Sequence, residues 1–172
     1  MFSPELQADA AALLARCRAA GIRLATAESC TGGLICGVLT EIAGSSDVVD
    51  RGFVTYSNAA KTAMLGVPDE LLQRVGAVSR ETAQAMAIGA IARSSADLAV
   101  AVTGIAGPGG GSAEKPVGLV HLAVQHSSGR GWHREARFGD LGRGGIRLAT
   151  VVTALSMLNE AVSAMTSSPA QR

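Results

Sequence analysis

The stretch "ADLAVAVTGIAG", residues 96–107, carries the clearest indication of the fold. From Leu98 to Val102 it is an apolar run without alternation, which is typical of a strand buried on both faces. The preceding segment, 79–95, has an alanine-rich body that favours a helix. A buried strand beside a helix predicts the centre of an α/β sheet with helices packed on it.

The segments on either side of this strand alternate between helical and strand patterns. They predict a helix from Pro4 to about Ala19, which Gly21 ends, then a strand at 22–27 and a helix at 31–44, which Thr31 caps. A strand at 51–57 and short helices at 58–66 and 68–76 follow. After the central strand, the patterns predict a hairpin of 116–126 with 131–138 and a last helix from about Gly144 to Ala164. We therefore expect one domain over residues 1–165 and a flexible tail at 166–172. The expected architecture is a three-layer α/β/α sandwich with a mixed, mostly parallel sheet and a C-terminal hairpin plus helix.

The composition limits the partners of the chain. Of its 172 residues, 48% are hydrophobic but only 3% are aromatic, so the core is expected to consist of small aliphatic side chains. A net charge of +1 provides no strong field for nucleic acid or an anionic membrane. No apolar run reaches the ~20 residues that a membrane span requires. We expect neither nucleic acid nor a membrane as a partner.

The cysteines and histidines do not form a metal motif. The three cysteines, Cys17, Cys30 and Cys36, are odd in number and have no paired spacing. Reduced thiols are typical of cytoplasmic proteins, so we expect that location. The histidines at 121, 126 and 133 form no metal-binding grouping either, and we expect no metal.

Polar segments at 28–33, 55–61 and 103–118 follow three predicted strands. Ligands of open α/β sheets bind beyond the carboxyl ends of strands, so these segments are expected to meet there. The third, "TGIAGPGGGSAEKPVG", is neither a phosphate loop nor a dinucleotide fingerprint. Thr103 and the amides from Gly104 to Ala106 could bind a polar ligand, or the segment could be a structural loop.

The first polar segment contains a candidate nucleophile. Ser29 and Cys30 directly precede Thr31, Gly32 and Gly33, where glycines and the amides of a helix start favour an anion. A nucleophile beside such donors would have an oxyanion site. The alternative is an ordinary capped turn in which Cys30 fills a small space in the core.

The second polar segment, "TYSNAAK", contains a candidate base. Ser57 or Asn58 can cap the following helix, which places Lys61 near its positive end and lowers the pKa of the amine. A neutral Lys61 could act as a base toward a serine, with Tyr56 passing or donating a proton. The alternative is that Lys61 extends to solvent.

The motifs "TAESCTGG", "IAGSSDVVDRGFVTYSNAAKTAMLGV", "GAVS" and "TGIAGPGGGSAEKPVG" together resemble the C-terminal domain family of the competence-damage-inducible protein CinA. The likeness runs from about Thr26 to Leu122 and more weakly through the last helix. Stand-alone members are nicotinamide mononucleotide deamidases. The resemblance implies a serine amidohydrolase without a cofactor that forms nicotinate mononucleotide and ammonia, and it also suggests a homodimer or higher homo-oligomer. The chain begins near the first helix of the family, so we expect no larger N-terminal domain.

The resemblance also implies roles for individual residues. It makes Ser29 the nucleophile, with Cys30 as a rival, and assigns Tyr56, Lys61 and Thr103 to the site. Family members commonly carry a G-D-R segment before the last helix, whereas this chain has "FGDLGRGGIR". The phosphate ligand could therefore be Arg143 or Arg147.

Three other interpretations stay open from the sequence. The chain could be a non-catalytic mononucleotide-binding module that acts in DNA uptake or repair through partners. It could instead be a thiol amidase that uses Cys30, or a structural assembly domain, although the polar strand ends fit that last interpretation poorly.

Overall fold

The computed structural model describes residues 2–166, which form alternating helices and strands around one sheet. The helices and strands are, in chain order, α1 Pro4–Ala20, β1 Leu24–Glu28, α2 Leu34–Thr40, β2 Val49–Val54, α3 Asn58–Leu65, α4 Asp69–Val75, α5 Arg80–Ala92, β3 Leu98–Gly104, β4 Leu119–His126, β5 Gly131–Arg137 and α6 Gly142–Thr166. A short 3₁₀ turn, Ser45–Asp47, precedes β2.

The sheet is mixed, as predicted, with strand order β2-β1-β3-β4-β5. β1 pairs in parallel with β2 and β3, whereas β4 runs antiparallel to β3 and β5. Thus β4 alone runs against the other strands. β3 lies at the centre of the sheet, and its apolar run is buried throughout, which confirms the prediction from the sequence.

Helices cover both faces of the sheet, which confirms the three-layer sandwich. On one face, Leu98, Val100 and Val102 of β3 belong to a core with side chains of α1, α2 and α6. On the other face, Ala99 and Ala101 pack with side chains of α3, α4 and α5. The alanines on this second face leave room for helices to approach the sheet closely.

Two helices begin where local chemistry predicts. Ser3 accepts a hydrogen bond from the amide of Leu6 and so caps α1, and Pro4 occupies the first turn. Gly21 ends that helix in the left-handed conformation, with φ of 67°, which favours glycine. Ser57 caps α3 by accepting a hydrogen bond from the amide of Ala60.

The structure corrects several predicted boundaries. α2 begins at Leu34 with Gly33 as its cap, so the prediction of Thr31 as the cap was wrong. β2 ends at Val54, two residues before Tyr56. α6 begins at Gly142 in spite of the glycines that follow it.

The C-terminal helix is apolar but forms part of the core. By length and composition, α6 could cross a membrane. In the domain, however, it packs along α1 and the sheet, and buried side chains such as Ile146, Leu155 and Leu158 join the core. Of the predicted tail, Thr166 ends α6, and 167–172 lie outside the described residues.

Candidate active site

The three polar segments meet at one cavity of about 220 Å³ beyond the carboxyl ends of β1 and β3. Its lining combines strand ends and loops from distant parts of the chain: Ser29, Cys30, Tyr56, Asn58, Lys61, Ala77, Val78, Thr103, Gly104, Ala106 and Arg143. Since it collects a hydroxyl, an amine and a guanidinium, this cavity is the candidate active site.

Ser29 and Lys61 are in direct contact inside the cavity. Lys61 Nζ donates to Ser29 Oγ at 3.0 Å and to the carbonyl oxygen of Thr55 at 2.9 Å. The lysine is only 1% exposed, so it does not extend to solvent. Within residues 2–166, no carboxylate forms an ion pair with this amine.

Burial lowers the pKa of Lys61, and the nearby Cys30 thiol only partly offsets this effect. Desolvation disfavours the charged ammonium, and the amine has no anionic partner that would stabilise this charge. A neutral Nζ has a lone pair that can accept the proton of Ser29 across the same 3.0 Å contact. The pair therefore has the geometry of a nucleophile and its base.

Cys30 lines the same cavity but is a poor nucleophile at neutral pH. Its side chain is 6% exposed, and burial raises the pKa of its thiol to about 11. The reactive form of cysteine is the thiolate, so near pH 7 this side chain remains a protonated thiol.

Tyr56 and Arg143 lie together at the mouth of the cavity. The Tyr56 side chain is 61% exposed, and its hydroxyl accepts a hydrogen bond from Arg143 Nη2 at 2.9 Å. Arg143 Nη1 donates to the carbonyl oxygen of Gly107 at 2.9 Å. The structure thus joins Tyr56 to Arg143, and neither Ser29 nor Lys61 is a hydrogen-bond partner of its hydroxyl among the described residues.

Thr103 and Gly104 form the wall that belongs to β3. Thr103 Oγ1 donates to the carbonyl oxygen of Ala77 at 2.8 Å, which fixes the loop between α4 and α5 against the strand. The amide of Ser29 donates to the carbonyl oxygen of Val102. Because backbone groups two residues apart point the same way in a strand, the amide of Gly104 faces the Ser29 side beyond the end of β1.

Four predicted ligands lie behind the Ser29 turn and do not line the cavity: Thr31, Gly32, Gly33 and Arg147. Arg147 Nε donates to the carbonyl oxygen of Cys30 at 3.1 Å, and its Nη2 donates to that of Thr31 at 2.8 Å. These two hydrogen bonds hold the backbone of the Ser29 turn in place, so Arg147 supports the turn and does not line the cavity.

The expected anion site at the start of α2 is occupied by the protein itself. The Glu28 carboxylate accepts hydrogen bonds from the amides of Gly33, Ile35 and Cys36. Glu28 was therefore not predicted from the sequence. Ala77 and Val78, which line the cavity, were not predicted either, and Asn58, which also lines it, was considered only as a helix cap. A glutamate at the end of an apolar strand, just before a helix start without a side-chain cap, was the signal that could have identified Glu28.

Elsewhere, His121 is buried and its Nδ1 lies 3.1 Å from His133 Nε2 on the neighbouring strand. The part of the chain that the structure describes contains no group of three or more His, Cys, Asp or Glu side chains that could hold a metal ion.

Comparison with known proteins yields a consistent set of relatives. A model of the CinA C-terminal domain matches residues 6–162. A CinA-like protein from Geotalea uraniireducens is 52% identical over 83% of this chain, and one from Parasynechococcus marenigrum is 51% identical over 87%. The chain spans about a third of the length of these relatives, 34% and 36% respectively.

Solved structures match along nearly the whole chain. The competence/damage inducible protein from Agrobacterium tumefaciens is 61% identical, with a TM-score of 0.92 and coverage of 95% of this chain and 98% of that one. A competence-damaged protein superfamily member from Klebsiella pneumoniae is 34% identical, with a TM-score of 0.85 and coverage of 92% and 96%. The similarity therefore extends to the helices and loops that build the cavity.

Proposed function

Because the chain belongs to the CinA C-terminal domain family, we propose that it is an amidohydrolase of nicotinamide mononucleotide. The reaction consumes water and forms nicotinate mononucleotide and ammonia, with Ser29 as the nucleophile. The observation that carries the proposal is the 3.0 Å contact between Ser29 Oγ and the buried, uncompensated amine of Lys61.

In the first half of the reaction, Lys61 Nζ takes the proton of Ser29 as Oγ bonds to the carboxamide carbon. The electron pair of the C=O bond moves to oxygen and forms an oxyanion. The amides of Gly104 and Cys30, two residues that line the cavity, are the donors for it. One such donor contributes roughly 2.7–4 kcal/mol to transition-state stabilisation.

In the second half, the oxyanion collapses and the C–N bond breaks. Lys61 returns its proton to the leaving nitrogen, so ammonia departs and an ester to Ser29 remains. Lys61 fits this step better than Tyr56, because Lys61 Nζ contacts Ser29 Oγ, whereas the Tyr56 hydroxyl contacts Arg143 at the cavity mouth. The neutral amine then takes a proton from water, and the resulting hydroxide bonds to the ester carbonyl carbon. The bond between this carbon and Ser29 Oγ breaks, nicotinate mononucleotide leaves, and Lys61 returns the proton to Oγ.

The phosphate of the substrate is assigned to Arg143. This guanidinium lies at the cavity mouth, whereas Glu28 occupies the start of α2 and Arg147 lies behind the turn. Binding would exchange the Arg143 contacts with Tyr56 and Gly107 for contacts with phosphate oxygens, which guanidinium binds well.

We further propose that the enzyme needs no cofactor, acts in the cytoplasm and is a homo-oligomer without nucleic-acid or membrane partners.

Ammonia release from nicotinamide mononucleotide tests the proposal. Ser29→Ala should abolish ammonia release while leaving thermal stability nearly intact, because a small side chain replaces a small one. Cys30→Ala is the matched control next to it in the chain and should retain turnover. Retained turnover in Ser29→Ala, or loss only in Cys30→Ala, would refute the serine assignment.

A second candidate function is a mononucleotide-binding module that acts through partners. The names of the relatives, which describe proteins inducible by competence or damage, favour it. It predicts saturable binding of nicotinamide mononucleotide by calorimetry with no ammonia formed by the wild-type chain, with or without a chelator.

A further inference from the structure

Glu28 is a buried carboxylate that the proposed mechanism does not use. Its side chain is fully buried at the end of β1, directly before Ser29. Oε2 accepts hydrogen bonds from the amides of Gly33 at 3.1 Å and Ile35 at 2.9 Å. Oε1 accepts from the amide of Cys36 at 2.8 Å and from Thr26 Oγ1 at 3.2 Å.

The three amides among these donors explain how the helix begins without a capping side chain. α2 has Gly33 at its cap, and no cap side chain satisfies its first amides. The carboxylate supplies the missing acceptors, and its negative charge lies at the positive end of the helix. Since Glu28 and α2 flank the turn of Ser29 and Cys30, this contact fixes both ends of that turn.

The backbone of Glu28 also connects with the base. The carbonyl oxygen of Glu28 accepts a hydrogen bond from the amide of Thr55 at 2.8 Å. The carbonyl oxygen of Thr55 in turn accepts from Lys61 Nζ, which contacts Ser29 Oγ. Hydrogen bonds therefore connect Glu28 with Thr55, Thr55 with Lys61, and Lys61 with Ser29. Ser29 directly follows Glu28 in the chain, and the Glu28 carboxylate fixes this group of residues to the start of α2.

We infer that Glu28 is a positioning residue, whose carboxylate holds the start of α2 and thereby fixes Ser29 Oγ within reach of Lys61 Nζ. The inference rests on the proposed function of this site. It assigns the amides at the start of α2 to the protein's own carboxylate, so that substrate phosphate is bound elsewhere.

The variant that tests the inference is Glu28→Gln, which keeps the shape but directs an NH₂ group at amide donors. We expect kcat for ammonia release to fall about 100-fold, the size of loss that a misplacement of about 1 Å causes, with KM little changed. A purely structural role would lower the melting temperature but leave kcat unchanged in the folded protein.

A second readout is independent of the amide substrate. Phenylmethanesulfonyl fluoride reacts with an activated serine: the Oγ–S bond forms, the S–F bond breaks, fluoride leaves, and Lys61 takes the proton. The rate of Ser29 sulfonylation, measured by mass spectrometry, should fall in Glu28→Gln by a factor similar to that for kcat. The control is Ser3→Ala, which removes the cap of α1 and should reduce stability but not either rate.

The outcomes separate the two proposals. Wild-type kcat in a folded Glu28→Gln overturns the positioning role and leaves the proposed function standing, whereas a wild-type chain that releases no ammonia overturns the proposed function. If Glu28→Gln does not fold, Glu28→Asp replaces it, because this side chain keeps the charge but is one methylene shorter. A large loss of kcat at constant KM supports the role, and wild-type kcat overturns it.

Discussion

Lys61 is buried without an anionic partner, so its removal should affect stability and activity in opposite directions. We expect Lys61→Met to lower kcat by about 10²- to 10⁴-fold, the usual contribution of a general base. The same variant should be more stable than wild type at pH 7, because an apolar chain of similar shape replaces a desolvated amine. Chemical denaturation of both proteins measures the difference.

This gain in stability should depend on pH with a defined sign. Burial lowers the pKa of Lys61 in the folded chain below the ordinary 10.5. Between the folded pKa and 10.5, the unfolded chain holds a proton that the folded chain lacks, so wild-type stability rises with pH. The advantage of Lys61→Met should be complete below the folded pKa and shrink toward pH 10.5, and an advantage that grows with pH would contradict the account.

The helix that carries Lys61 is positioned by a close approach between α3 and α5. Gly89 of α5 is buried, and a Cβ at this position would collide with the carbonyl oxygen of Leu65 at the end of α3. Gly89→Ala should therefore displace α3, reduce the free energy of unfolding by roughly 1–3 kcal/mol and lower kcat. Thermal denaturation and ammonia release measure the two effects.

Gly144 offers a matched control for this substitution. It also lies in a helix, but a Cβ there would meet nothing within 4 Å. Gly144→Ala should keep wild-type kcat and increase stability by up to about 1 kcal/mol, since alanine is the better helix former. If Gly89→Ala and Gly144→Ala have the same kcat, the contact between α3 and α5 does not position the base.

The start of α2 shows what local sequence signals cannot resolve. Thr31 looked like a cap because threonine suits that position and two glycines follow it. The amides are satisfied instead by Glu28, whose side chain reaches the helix from the end of a strand. By contrast, the sequence limited the cap of α3 to Ser57 or Asn58, and the structure has Ser57, whose acceptor lies three residues before its donor, the amide of Ala60.

The tertiary arrangement was predictable where it follows from general rules. A buried central strand and alternating helices gave the layers, and the convergence of strand ends placed Ser29, Lys61 and Thr103 at one cavity. Whether Arg143 or Arg147 faced that cavity was not predictable. Their spacing of four residues puts both near the same side of α6, and the difference depends on which of them the Ser29 turn engages.

An exposed apolar stripe on α6 supports the proposed homo-oligomer. Leu148 and Val152 of α6 lie four residues apart and are each 47% exposed, and Leu141, which directly precedes the helix, is 54% exposed. We expect the wild-type chain to sediment as a dimer and Leu148→Glu to shift toward monomer, because a charge would be buried in the contact. A monomeric wild type, or a dimer that Leu148→Glu leaves intact, would rule out this stripe as the interface.

The most direct test of the account is the titration of the Lys61 amine by NMR in protein labelled at the lysine side chains. The chain contains two lysines, Lys61 and Lys115, so Lys61→Met assigns the signals. If neutral Lys61 activates Ser29, its pKa should lie below 10.5 and coincide with the pH at which kcat/KM for ammonia release rises. An amine that titrates at 10.5 or above, with turnover already complete several pH units lower, would contradict activation of Ser29 by a neutral lysine.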